Sequence, residues 1–328
     1  MPPKPKPKRF KSRTLVVVSF WVVVAGLLLY NQQGIADAWK LHGYQPPAEV
    51  ASLATDNTFT LKARDVFYVN HPIVTAQKEF ADNCPSGTER TVVLGCYHGD
   101  QAGIYVLKVT DARLQGVEQV TSAHEMLHAE YDRLSSRQKR SVDAMLNDFY
   151  AHGLTDDTVK QQIDDYKKSE PKDVVNEMHS LFATEVKMLP ANLENYYQRY
   201  FTNRVHVVDL YNQYEAEFTT RQATIKSDDI QLSAMKAQID SSEQSIDKQS
   251  TSLDAQRVQL DRLKASGSIQ AYNAAVPAYN AAVDAYNAQA SALRSLIARY
   301  NQLVDERNSI AAETNQLTAE ISNQVTDK

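Results

Sequence analysis

The chain has 328 residues and a formal net charge of −5, room for one ordinary domain with accessories. Outside the first 13 residues there is no basic stripe with interleaved aromatics, which argues against a nucleic-acid partner. Two cysteines, Cys84 and Cys96, are too few for a disulfide scaffold, although an exported domain could join them in one short bridge.

Residues 1–13 form a basic tail carrying Lys4, Lys6, Lys8, Arg9, Lys11 and Arg13. The stretch 14–30, TLVVVSFWVVVAGLLLY, follows without a charge. At 1.5 Å per residue it spans roughly 25 Å, the short end for a transmembrane helix. The competing reading is a cleaved signal peptide, but the apolar run is long and no clear small-x-small site follows it. The positive charges before the span predict a single-pass signal anchor with a cytoplasmic N-terminus and an extracytoplasmic remainder.

Residues 31–60, with Pro46 and Pro47, read as a polar juxtamembrane linker. Three strand-like runs follow at 66–74, 90–97 and 103–109, rich in β-branched and aromatic residues and bounded by turn formers. From Val117 the period becomes helical. Val117, Val120, Thr121, His124, Leu127, His128 and Tyr131 share one broad face. Further helices are predicted near 135–151, 157–168 and 171–189, the last opened by Pro171. The expected class is α+β: a small sheet followed by helices, over residues 61–204.

From 205 to 328 the composition changes. Gly267 and Pro277 are the single glycine and proline of this region. Ile225, Leu232, Ile239, Ile246, Leu253 and Leu260 recur at sevens. Beyond Gly267 a seam runs Tyr272, Val276, Tyr279, Val283, Tyr286, Ala290, Leu293, Ile297, Tyr300 and Val304, alternating four and three. These are a/d patterns, and they predict an antiparallel coiled-coil hairpin turning at KASGS. The first arm is the weaker, since Ser242, Gln249 and Gln256 hold its alternate seam positions. Pro277 should kink the returning helix or move its start to about residue 278.

The pattern with the most chemistry is HEMLH at His124–His128. Residues four apart on a helix lie about 40° apart around its axis, so both imidazoles can reach one metal ion. Glu125 stands where a carboxylate can take a proton from a metal-bound water. The plain alternative is a solvated helix that carries two histidines. A catalytic zinc usually takes three protein ligands, and the richest source of a third is NEMHSLFATEVKMLP at 176–190. In helical projection Glu177 borders its apolar stripe, Glu185 sits near the centre, and His179 points away. Glu177, Glu185 and His179 are therefore candidates in that order, and a structural ion pair is the alternative for either glutamate.

These motifs resemble the gluzincin, or thermolysin-like, branch of zinc metallopeptidases, in which a helix with HExxH is followed by a second helix bearing the glutamate ligand. Ala129 and Asp132 match residues after the second histidine in that branch, and Asn176-Glu177-x-x-Ser180 resembles its NExxS segment. The resemblance thus implies Zn2+ held by His124, His128 and Glu177, with Glu125 as the general base. Leu181 stands where that branch has an aspartate that orients a zinc histidine, leaving the role unfilled or taken by another carboxylate such as Glu185. The resemblance also implies an edge strand, GIYVLKV at 103–109, that pairs with extended substrate. Tyr131, His179, Tyr196, Tyr197 and His206 are candidates to stabilise the oxyanion. The chain is similar, too, to a group of membrane-anchored bacterial proteins.

The expectation is a membrane-anchored zinc metallopeptidase acting on peptide or protein, with a coiled-coil arm that can bind a protein partner. The rival is a non-catalytic envelope scaffold working through its coiled coil around a vestigial zinc fold.

Overall fold

The computed structural model describes residues 12–84 and 93–321, except the side chains of 12–16, 27, 29 and 30. Most of the basic tail therefore lies outside the described residues. The chain parts into two compact units between Gln213 and Tyr214.

The first unit begins with α1 (Ser12–Tyr30) and α2 (Gln32–Leu41). Among the described residues no helix is long and apolar enough to cross a membrane; the apolar run of 14–30 falls partly outside them. The stretch read as a linker is folded. Besides α2 it holds α3 (Ala48–Asp56), whose Val50, Leu53 and Ala54 are buried. Asn57, after α3, donates through Nδ2 to the Gln119 carbonyl and to Ser122, both at 2.8 Å.

Of the strand expected over 66–74, residues 66–68 close a helix, α4 (Leu61–Tyr68), 69–72 make a turn and irregular link, and β1 is confined to Ile73–Thr75. Thr60 caps α4 by accepting from the Ala63 amide, and Ala63, Val66 and Phe67 bury one helical face. That packing outweighs the local β propensity of VFYV. Next come α5 (Gln77–Asn83), β2 (Gly95–His98) and β3 (Gly103–Leu107). The strands make a mixed sheet in the order β1-β3-β2, parallel for β1 with β3 and antiparallel for β2 with β3. Cys84 and Cys96 form a disulfide that ties the end of α5 to β2. It sits in a small core with Phe80 and Leu107.

Helix α6 (Val117–Arg133) carries HEMLH and runs through the centre, packed between the sheet, α3, α4 and α9 (Val174–Thr184). It starts at Gly116, whose φ of +106° favours glycine. A Cβ there would also stand 3.1 Å from Leu210. Helices α7 (Ser136–His152) and α8 (Asp157–Ser169) begin at Ser135, with a capping box to Gln138, and at Asp156. The third predicted helix starts only at Val174, after a turn that contains Pro171, and ends at Thr184. Phe149 of α7 meets Phe182 of α9 edge to face at 5.0 Å. A short helix, α10 (Ala191–Tyr197), follows.

The second unit is a helical hairpin formed by most of α11 (Arg204–Ala265) and α12 (Ile269–Ile321). Arg221 with Glu313, Asp229 with Arg307, and Gln249 with Gln289 bridge its arms in one register centred on the turn at Gly267. Ile239 and Leu260 of the first seam are buried, and the other seam residues of both arms are half-buried. Helix α12 starts at Ile269 and runs through Pro277, so the proline does not delay it.

Candidate metal centre

His124 and His128 project from α6 towards Glu177 in the first turn of α9, and the donor atoms of all three lie within 4.8 Å of one another. His124 Nε2 stands 3.5 Å from Glu177 Oε2, and His128 Nε2 stands 3.5 Å from Glu177 Oε1. A charge-assisted hydrogen bond would draw such atoms to about 2.7–2.9 Å. Two ligand atoms about 2.0–2.1 Å from a tetrahedral ion are instead held about 3.3–3.4 Å apart. Two imidazoles and one carboxylate are also a donor set that zinc accepts, leaving a fourth position open. The residues fit a zinc ion in both spacing and chemistry.

Burial raises the Glu177 carboxyl, but His128, His124 and a hydroxyl bond from Tyr166 of α8 outweigh it and hold the group below its usual range. Ser180, one turn along α9, places its hydroxyl 3.5 Å from His128 Nδ1. Leu181 itself offers that ring no polar atom, and the hydroxyl beside it is that of Ser180. Glu185 follows the last turn of α9 and lies outside the trio. Its place on the apolar stripe requires a helix to residue 189, whereas α9 ends at Thr184. His179, projected to point away, is fully buried, because α9 is enclosed on every side from Glu177 to Thr184. Its Nε2 shares a 2.9 Å hydrogen bond with the Tyr196 hydroxyl. Burial, reinforced by His128 and His124, pushes His179 down to about 3.

Glu125 is only 7% exposed. Burial raises its carboxyl to about 7; His128 pulls it down, Glu177 pushes it up, and the Tyr97 amide donates to it. That amide belongs to β2, which lies against α6 at Gly95. A Cβ on Gly95 would be 2.5 Å from Thr121 Cγ2 and 2.9 Å from Glu125 Oε1. The strand expected at the substrate edge, 103–109, is instead central, since β3 pairs on both sides. The edge beside Glu125 is β2, an order that hydrophobic patterning does not encode.

Of the oxyanion candidates, His206 is exposed, while Tyr196 and Tyr197 are buried beside His179. Tyr131 donates to Asp143 at 2.8 Å. Tyr200 donates to Glu130, which also holds Lys62 at 2.6 Å, and lies 3.3 Å from the Tyr196 hydroxyl. A polar chain thus runs from His179 through Tyr196 and Tyr200 to Glu130 and Lys62. Three contributors escaped the sequence reading. Tyr166 sits on a surface helix with no local signal, and Gly95 was detectable as a glycine inside a strand pattern. The third, Arg204, reaches the α9 end through the carbonyls of Ala183, Val186 and Lys187 at 2.7–3.1 Å. Among the described residues, Cys84, Cys96 and His98 form a second possible donor trio, but the two sulfurs are bonded to each other.

Compared with known proteins, the chain matches no family model, no curated protein and no solved structure. The functional reading therefore rests on its own residues and on the gluzincin-like motifs.

Proposed function

We propose that this chain is a membrane-anchored, extracytoplasmic zinc metallopeptidase. The observation that carries the reading is the 3.5 Å spacing of His124, His128 and Glu177 beside a buried Glu125. A bound zinc would supply Lewis acidity, lowering the pKa of water and polarising a carbonyl. Glu125, raised towards neutrality, is matched to accept a proton from water and return it to the leaving amine. The Tyr97 amide holds that carboxylate in place, and Ser180 orients His128. The outer edge of β2 has the backbone donors and acceptors to pair with an extended peptide. The apolar run of 14–30 supports the anchor, and the Cys84–Cys96 bridge suits an oxidising compartment.

Elemental analysis and cleavage of unstructured protein substrates test this reading together. Wild type should bind one zinc and cleave. Glu177→Ala should lose the metal. Glu125→Gln should keep it while losing about 10²–10⁴ in rate. Full zinc in Glu177→Ala, or wild-type cleavage by Glu125→Gln, would overturn the assignment.

The scaffold reading draws on one observation, the hairpin of Tyr214–Glu320 as a compact unit of its own. A partner-binding arm is compatible with catalysis, and loss of partner recruitment in an arm deletion that keeps its zinc would establish it.

A further inference from the structure

Helix α2 has two faces with different fates. On one, Asp37 pairs with Arg133 at the end of α6, and the Lys40 ammonium donates to the Gln101 carbonyl at 2.9 Å. Gln101 lies in the turn between β2 and β3, where Asp100 and Gln101 both have positive φ, and its amide donates to the Tyr97 hydroxyl at 3.0 Å. These contacts fix the rotation of α2 about its own axis. The other face cannot turn inward, yet it is apolar. Ile35 and Trp39, four residues apart, are 50% and 82% exposed. With Leu28 of α1, Gln32, Ala36 and Lys40, which borders both faces, they line a shallow, largely apolar groove where α1 meets α2.

We propose that this face beds in the surface of the lipid bilayer, so that α2 is an interfacial helix that sets the catalytic unit against the membrane. The occupant follows from continuity. The groove begins within the apolar run of 14–30 and continues directly into α2, so a chain anchored by that run delivers Ile35 and Trp39 to the headgroup level. Tryptophan favours that level because its ring is apolar and its N–H is polar, and an amphipathic helix lying in the interface buries such a face. Through Asp37 and Lys40 the same helix holds the β2–β3 turn, so the strand edge beside Glu125 is presented close to the lipid surface. The substrates so favoured are membrane-proximal polypeptide segments. The inference rests on the reading of 14–30 as a membrane span.

The chain has two tryptophans, Trp21 and Trp39, which allows the two readings to be tested apart. The full chain would be placed in phosphatidylcholine nanodiscs carrying bromine either high or low on the acyl chains. In Trp21→Phe, Trp39 fluorescence should shift to the blue and be quenched more strongly by the upper bromines. In Trp39→Phe, Trp21 should be quenched by the deep bromines. If Trp21 is quenched while Trp39 ignores both lipids and remains open to aqueous acrylamide, interfacial docking is overturned and the span stands. If Trp39 is quenched while Trp21 is not, the span is overturned, and with it the continuity from which this docking is argued. Quenching of neither overturns both.

Discussion

Gly95→Ala is the substitution that most directly probes how the sheet serves the site. The added Cβ would lie 2.5 Å from Thr121 Cγ2, 2.8 Å from Glu125 Cγ and 2.9 Å from Glu125 Oε1. Carbon atoms settle about 3.5–4.0 Å apart, so β2 and α6 must separate by about 1 Å. Thr121 is buried and β-branched, and cannot swing aside cheaply. Overpacking of this kind costs about 1–3 kcal/mol, whereas replacing glycine recovers only about 0.4–1 kcal/mol from the unfolded chain. The net is a loss. With a urea dependence near the upper end for a unit of this size, about 2–3 kcal/mol per molar, the unfolding midpoint should fall by up to about 1 M. Urea titration at matched zinc content reads this directly. Turnover should fall further than stability implies, since about 1 Å of misplacement at a reacting group can cost about 10²-fold. Adding Thr121→Ala removes the closest contact and should recover stability, but the Glu125 contacts remain and turnover should stay low. A wild-type midpoint together with wild-type turnover in Gly95→Ala would refute the packing of β2 on α6.

Arg204→Ala should destabilise the first unit by about 3 kcal/mol or more, because Glu194 and the carbonyls ending α9 lose a buried cation; urea unfolding checks it, and hydrogen exchange should rise at 183–187. His179 is held neutral when folded but protonates near its ordinary value of 6.5 when unfolded. The unfolded state then binds the extra proton, so this group's stability is present above pH 6.5 and is lost as pH falls towards 3. The stability difference between wild type and His179→Gln, measured on zinc-free protein, should therefore shrink across that window. A cysteine pair replacing Leu232 and Val304 should cross-link within one chain, since the Asp229–Arg307 pair sets them opposite each other; non-reducing electrophoresis would expose any cross-link between chains.

The parts that sequence can disclose are those written in local spacing. HEMLH is one, because a step of four places both rings on one side of α6. The seams of α11 and α12 are another, and every one of their residues is buried or half-buried in the hairpin. Glu177 was within reach because a carboxylate bordering an apolar stripe demands a partner. Long-range competition hid the rest. Ala63, Val66 and Phe67 already carry helical spacing, but VFYV alone reads as a strand. The end of α9 is where Arg204, twenty residues beyond Thr184, takes up the carbonyls of Phe182 and Ala183, and that end is what excludes Glu185. Strand order is a property of the assembled sheet, so the exchange of edge between β3 and β2 has no local signature.

The disulfide between Cys84 and Cys96 bears on timing. It tethers β2, the strand that supplies both the Gly95 contact and the Tyr97 amide to Glu125. A loop of this length, closed across 12 residues, is worth about 3 kcal/mol of constraint. A newly made chain in a reducing compartment lacks that tether, so the strand is pinned only once oxidation has occurred. On the proposed reading, a peptidase assembled this way would stay idle among the proteins of the compartment that makes it. Turnover that falls on mild reduction and returns on reoxidation, without unfolding, is the signature of such a latch.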